Sequence, residues 1–185
     1  MSTGSKVSAA EFDAMVLAGV FDSMEGQKIE LIRGEIRSMS PAGPIHSDLI
    51  DYLTEWSVQH GVGGHHSTRV QSGFICDDNR PEPDVLWMRR RRYADGHPTA
   101  ADVLLLIEVA DSSVRGDLGE KAEIYAEAGV AEYWVIDIPR RRVHVHRRAM
   151  DSRYSEVSVK ERTERLSPKC LVEAELDLAD LFSVL

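Results

Sequence analysis

The sequence predicts an α/β fold: a sheet core flanked by helices, preceded by an N-terminal helix and a β-hairpin. Three observations carry this expectation. Residues 103–109 are apolar at every position except Glu108, the pattern of a central strand covered on both faces. Residues 117–128 follow after a short loop and place their apolar positions on one helical face. Residues 131–138 then return to an apolar, strand-like run. A chain of 185 residues suits one domain with a real core. Its expected limits are residues 8–185, with residues 1–7 disordered.

In chain order, Ser8 is placed to cap a short helix, and Glu11 three residues on completes a capping box. That helix should bury Phe12, Met15 and Val16. Residues 28–39 read as a hairpin, Lys-Ile-Glu-Leu-Ile and Glu-Ile-Arg-Ser-Met around a turn at Arg33-Gly34. Residues 40–44 form a loop, and Pro44 suits the first turn of the next helix. That helix should run to about His60 with a core stripe of Ile45, Leu49, Leu53 and Trp56, and Gly61 should end it. Residues 65–76 read as one or two strands with a break near Ser67, and residues 77–81 as a turn. Residues 85–88 are a short strand whose entrance Pro81 and Pro83 keep out of a sheet interior. Residues 89–101 are a charged loop with one helical turn. After the central strand, the helix ending at Gly129 and the strand over 131–138, Pro139-Arg140 turns the chain into a strand at 142–147. A further strand spans about 153–160, and a short C-terminal helix holds Leu176, Leu178, Leu181 and Phe182. There is no internal repeat and no low-complexity segment.

Apolar residues make up 43% and charged residues 29%, the balance of an ordinary globular protein. No apolar run approaches the roughly 20 residues that span a bilayer, and residues 1–10 lack the pattern of a secretory signal. Two cysteines, Cys76 and Cys170, are too few for a disulfide framework, so a cytoplasmic location is expected. The formal charge of -9 argues mildly against a non-specific nucleic-acid binder. Arginine is nevertheless dense at 89–92, 140–142 and 147–148, where it fits phosphate contacts and solvated turns equally well.

The chemistry-bearing residues are two acids and a lysine. Asp84 opens one strand, and Glu108 closes a neighbouring one, on the face of Leu104 and Leu106. Strand ends let side chains reach a crevice from a rigid backbone. Removing a carboxylate from water costs several kcal/mol, so a buried Glu108 needs a partner. A divalent cation, a lysine or a surface arginine would each serve. On a helical wheel Leu118, Lys121, Ala122, Tyr125 and Ala128 share one arc, opposite Glu120, Glu123 and Glu127. Lys121 thus belongs to the dry face. Its ammonium either snorkels to water or reaches the strand ends and Glu108. Asp117, one turn earlier, is a candidate i,i+4 partner.

Pro83-Asp84, Glu108-Val109-Ala110 and Lys121 together resemble the PD-(D/E)XK nuclease superfamily. Ala110 stands where that pattern expects lysine, two residues after the acid, so Lys121 would serve from the helix. The chain also resembles the Uma-two family, small bacterial chains described as restriction endonucleases. Glu-Leu-Ile-Arg-Gly-Glu at 30–35, Pro-Glu-Pro-Asp at 81–84, Glu-Val-Ala-Asp-Ser-Ser at 108–113 and the stretch from Gly119 to Asp137 carry the likeness. Each motif alone is weak, and their order and spacing together are specific.

The resemblance implies a restriction-endonuclease-like mixed sheet core. It implies Asp84 and Glu108 as ligands of Mg²⁺ or Mn²⁺, with the backbone carbonyl of Val109 as a third. It implies Lys121 as the catalytic lysine, with Glu30 and His46 bordering the site. From the residues alone, Glu30 only alternates with Ile29 and Leu31, and a histidine near a helix start is more often a local hydrogen-bonding group. The implied activity is Mg²⁺-dependent endonucleolytic cleavage of nucleic acid, with DNA the expected partner and a homodimer the expected assembly. The competing reading is a non-catalytic binding module that keeps a remnant metal site, which the acidic charge and Ala110 favour. His65-His66, His144 and His146 lack the spacing of a zinc site. Ser112 and Ser113 lack a Gly-x-Ser-x-Gly elbow, and there is no P-loop.

Overall fold

The computed structural model describes residues 6–24, 27–39 and 43–185. Its centre is a six-stranded sheet in the order β3-β4-β5-β6-β7-β8. The strands are β3 (Ser67–Val70), β4 (Val85–Met88), β5 (Val103–Ala110), β6 (Glu132–Asp137), β7 (Arg142–Met150) and β8 (Arg153–Glu161). Only β5 and β6 run parallel, and the other neighbours are antiparallel. The sheet is therefore mixed, and residues 103–109 do lie in its middle.

Both sheet faces are covered. On one, α2 (Pro44–Gly61) lays Leu49, Leu53 and Trp56 over Trp87, Leu105, Ile107 and Trp134, joined by the C-terminal α5 (Leu178–Leu181). On the other, α4 (Ala122–Glu127) packs Ile124, Tyr125 and Ala126 against Leu86, Leu106, Tyr133 and Val135. A bulge in β5 opposite Trp87 and Met88 disturbs the alternation. Leu104 consequently packs toward the first face, so Glu108 shares its face with Leu106 but not with Leu104.

The N-terminal elements stand outside this sheet. Helix α1 (Ala9–Leu17) carries the expected capping box of Ser8 and Glu11, but it buries only Phe12 fully, and Val16 is half exposed. Strands β1 (Lys28–Ile32) and β2 (Glu35–Met39) form the expected hairpin. Its turn has positive φ at both Arg33 (51°) and Gly34 (80°), the geometry that matches strand twist in a two-residue hairpin. Paired backbone hydrogen bonds between Leu31 and Arg80, 3.2 and 2.9 Å, tie the hairpin to the segment entering β4. The expected disorder of residues 1–7 falls outside the described residues for 1–5. Val7 is placed and donates its N–H to the Gly34 carbonyl at 2.9 Å. The expected loop over residues 40–42 also lies outside them.

Several boundaries differ from expectation. Gly61 is the last residue of α2 rather than its stop, and Ile45 is exposed while Ile50 is buried. Residues 65–76 yield only β3. Leu176 is not helical: it pairs with Leu166 in the two-residue ladder of β9 (Arg165–Leu166) and β10 (Leu176–Asp177). The helix expected over 117–128 starts earlier and is not uniform. A short α3 (Val114–Gly116) runs into a π-helical turn at Asp117–Lys121 before α4 begins, and Gly129 (φ 78°) closes it. Among the described residues, no helix is long and apolar enough to cross a membrane.

Candidate active site

The start of β4 meets the end of β5. Val85 pairs with Ile107 in antiparallel register, so the next step brings Asp84 level with Glu108. The backbone N–H of Val109 donates to Asp84 Oδ2 at 2.8 Å, which fixes the carboxylate against the neighbouring strand. Asp84 and Glu108 are 2% and 4% exposed. Glu108 is not the terminal residue of its strand, since β5 runs on through Ala110.

Lys121 reaches this point from the opposite side of the layer. Its Nζ lies 3.0 Å from Glu108 Oε1 and 3.0 Å from Glu30 Oε1. The ammonium therefore turns inward rather than snorkelling. The π-helical turn that ends at Lys121 widens the helix locally, a distortion often found at functional positions. Tyr125, one turn on, donates its hydroxyl to the same Glu108 oxygen at 2.9 Å. Glu30 is brought in by the hairpin and also accepts the Glu82 N–H at 2.7 Å.

His46, in the first turn of α2, points its Nε2 toward Asp84 Oδ2 at 3.5 Å. All five side chains singled out from the sequence thus gather around the β4–β5 junction. Two further groups join them: Lys28, not singled out from the sequence, and Asp117, named there only as a partner for Lys121. Lys28 donates to Asp84 Oδ1 and, at 3.3 Å, to the Glu82 carbonyl. Asp117 is buried within the electrostatic reach of Lys121 and Glu30. The signal for Lys28 was available: it stands two residues before Glu30 in one strand, and so on the same face.

The electrostatics show an excess of buried negative charge. Burial pushes the Glu108 carboxyl up, and the charges of Asp84, Asp117 and Glu30 add to this against the opposing Lys121. Burial likewise raises Asp117. For Lys121 burial favours the neutral amine, but Glu108, Glu30 and Asp117 outweigh it and raise the pKa. The two directions are compatible, because one ammonium faces three acids and cannot neutralise them all. Asp84 behaves differently. Burial would raise it, but hydrogen bonds from His46, Lys28 and the Val109 N–H, with the Lys28 charge, hold it well below the usual carboxylate range. His46 is raised in turn, chiefly by its hydrogen bond to Asp84.

This donor set fits a hard divalent cation. Carboxylate and carbonyl oxygens are the ligands Mg²⁺ prefers, and the acids Glu30, Asp84, Glu108 and Asp117 outnumber the lysines Lys28 and Lys121. Among the described residues, no three His, Cys, Asp or Glu side chains already converge on one point. The expected third ligand, the Val109 carbonyl, is a backbone group outside that set.

The other candidate clusters are committed elsewhere. Arg147 pairs with buried Glu132 at 2.6 Å, and Arg140, Arg142 and His144 surround buried Asp137 at 3.5, 3.3 and 3.2 Å. Within the arginine run at 89–92, Arg91 binds Asp102 at 2.9 Å.

Comparison with protein families matches residues 10–179 to Uma2, described as "Putative restriction endonuclease". Among solved structures the chain is similar to a "putative nuclease belonging to DUF820" from Anabaena variabilis ATCC 29413. The two share 19% identity at a TM-score of 0.71, over 84% of this chain and 89% of that one. At that identity the likeness speaks for the fold. No curated protein matches the chain.

Proposed function

The chain belongs to the Uma2 family, and on that footing we propose that it is a Mg²⁺- or Mn²⁺-dependent endonuclease. Its substrate is nucleic acid, DNA in the first instance. The observation that carries the proposal is the contact of Lys121 with both Glu108 and Glu30, with Asp84 level with Glu108 across the β4–β5 register. Residues from the hairpin, two strands and a helix converge there at the expense of burying charge.

Asp84 and Glu108, with the carbonyl of Val109, would hold the cation. When bound, the ion lowers the pKa of a water and polarises the phosphate. Lys121 orients the attacking water and offsets the charge that builds on the phosphoryl oxygens. Glu30, held by Lys121 at 3.0 Å, would accept the proton released by the water or help hold a second ion. His46 fixes the Asp84 carboxylate. Two copies acting together suit the two strands of a duplex, and the free cysteines suit a reducing cytoplasm.

The test is a cleavage screen with Mg²⁺ and Mn²⁺ over duplex DNA, single-stranded DNA and RNA, with sedimentation to give the assembly. Lys121→Ala should stay folded by circular dichroism and lose cleavage by roughly a hundredfold or more. Asp84→Ala should lose Mn²⁺ binding. Cleavage at the wild-type rate by the Lys121 variant would reject the assignment. A second reading rests on Ala110 and the net acidity: a binding module with a remnant metal site. It predicts Mn²⁺ binding that Asp84→Ala removes, with no cleavage of any substrate.

A further inference from the structure

Lys28 is a half-buried cation on the carboxylate expected to bind metal. Its side chain is only 16% exposed. It lies on the same strand face as Glu30, so the hairpin delivers one ammonium and one carboxylate together to the β4–β5 junction.

The two oxygens of Asp84 have different partners. Oδ2 accepts the Val109 N–H at 2.8 Å and faces His46 Nε2 at 3.5 Å. Oδ1 is held by Lys28. The oxygen with backbone and histidine contacts is anchored to the scaffold, and the one left to coordinate an ion is the one Lys28 occupies. An arriving cation must take Oδ1 from Lys28. The ammonium would keep its second anchor, the Glu82 carbonyl at 3.3 Å, and so remain beside the strand ends. Lys121 is already shared between Glu108 and Glu30, and residue 110 is alanine, so the junction has no other lysine to offer.

From this, and resting on the nuclease reading above, we infer that Lys28 is a second functional lysine: a built-in counter-ion that competes with the divalent cation for Asp84 Oδ1 and, once displaced, binds the phosphate of the nucleic acid. In the metal-free protein it keeps a buried carboxylate paired. In the loaded protein it adds a second positive charge beside that of Lys121.

The experiment is a calorimetric titration of the full chain with MnCl₂, paired with cleavage rates at saturating Mn²⁺. Lys28→Met should bind Mn²⁺ about tenfold more tightly, the order expected when a charge-assisted hydrogen bond no longer has to be broken first. Its thermal midpoint should be lower than wild type without Mn²⁺ and rise further on adding it. A merely structural ion pair would lower the midpoint without raising the affinity. Lys28→Arg, which keeps the charge, should bind Mn²⁺ like wild type. If Lys28→Met does not fold, Lys28→Gln carries the same test. At saturating Mn²⁺ the rate of Lys28→Met should fall at least tenfold. Unchanged or weaker Mn²⁺ binding overturns the counter-ion role, and an unchanged saturated rate overturns the phosphate role. Wild-type protein that binds no Mn²⁺ would sink the nuclease reading and this inference together. Wild-type binding that Asp84→Ala abolishes, with Lys28→Met indistinguishable from wild type, would sink this inference alone.

Discussion

Glu108 accepts hydrogen bonds from Lys121 and Tyr125 on a single oxygen while only 4% exposed, and its carboxyl is raised above the usual range, first by burial. That shift makes its contribution to stability depend on pH in a definite direction. The unfolded carboxyl titrates near about 4.3, below the folded value. The folded state therefore holds a proton that the unfolded state has lost, and ionising Glu108 works against folding. Its contribution is fully present below the unfolded value and is lost as pH rises through the folded one. Glu108→Gln has no proton to lose. In metal-free buffer, urea midpoints of the wild type should fall relative to those of the variant as pH rises from the ordinary carboxylate range, and the difference should level off above the folded value. Parallel pH profiles for the two proteins would contradict the raised pKa. At this scale much of the site was legible. Glu108 stood alone in an apolar run and Lys121 alone on a dry helical face, and each is improbable without a partner. Lys28 escaped because a lysine at the start of a strand is ordinary until the strand is known to face a buried acid. Asp117 was named only as an i,i+4 partner of Lys121, and that spacing gives no sign of its burial among the other acids.

The hairpin β1–β2 is the element that joins both halves of the site, since Lys28 and Glu30 reach Asp84 and Lys121 from one strand. Its geometry depends on the Arg33-Gly34 turn. A side chain at Gly34 would meet two obstacles: a φ of 80°, and a Cβ placed 2.9 Å from the Cβ of Lys6. Gly34→Val adds branching at a left-handed position, a strain of about 1–3 kcal/mol. The melting temperature should drop by roughly 2–4 °C for each kcal/mol, and metal-dependent cleavage should fall with it although residue 34 touches none of the site groups. Unchanged cleavage in a clearly destabilised Gly34→Val would show that the hairpin does not position the site. The turn was readable because Arg-Gly sits between two alternating runs. So were the central strand, the capping box and the succession of the later strands along the chain, all of which have short-range signatures. The misread elements had their pattern set by distant partners. The π-helical turn at Asp117–Lys121 leaves the spacing of apolar residues almost unchanged, and the bulge at Leu104 is forced by the register with β4. Leu176 looked helical by spacing but pairs with Leu166, ten residues upstream.

Across the whole molecule, one sheet separates two cores of different composition. Trp56, Trp87 and Trp134 lie on the α2 face, with ring centroids 4.8 Å apart for Trp56–Trp87 and 6.0 Å for Trp56–Trp134. The α4 face holds Tyr125, Tyr133 and Tyr154, with Tyr125 and Tyr133 edge to face at 4.9 Å. The same strands supply both, because Leu105 and Ile107 point one way while Leu106 and Glu108 point the other. Losing either core strips half the burial from β4, β5 and β6, so neither should survive the other. The chain is longer than the size at which all-or-none unfolding is the usual outcome, and only this sharing argues for it. Tryptophan fluorescence reports the α2 face, far-ultraviolet circular dichroism the whole sheet, and near-ultraviolet dichroism the tyrosines as well. The three urea transitions should share one midpoint and one slope. A fluorescence transition that precedes the dichroism change would mean that the α2 layer detaches first, and residues 8–185 would then not form a single folding unit. The proposed metal site adds a second condition, since its ligands would enter from the start of β4 and from β5 while His46 comes from α2 and Lys121 from the helical layer opposite. Saturating Mn²⁺ should move all three transitions together, as ligand binding to one native state requires, whereas a shift confined to one probe would place the ion within a unit that unfolds independently of the rest.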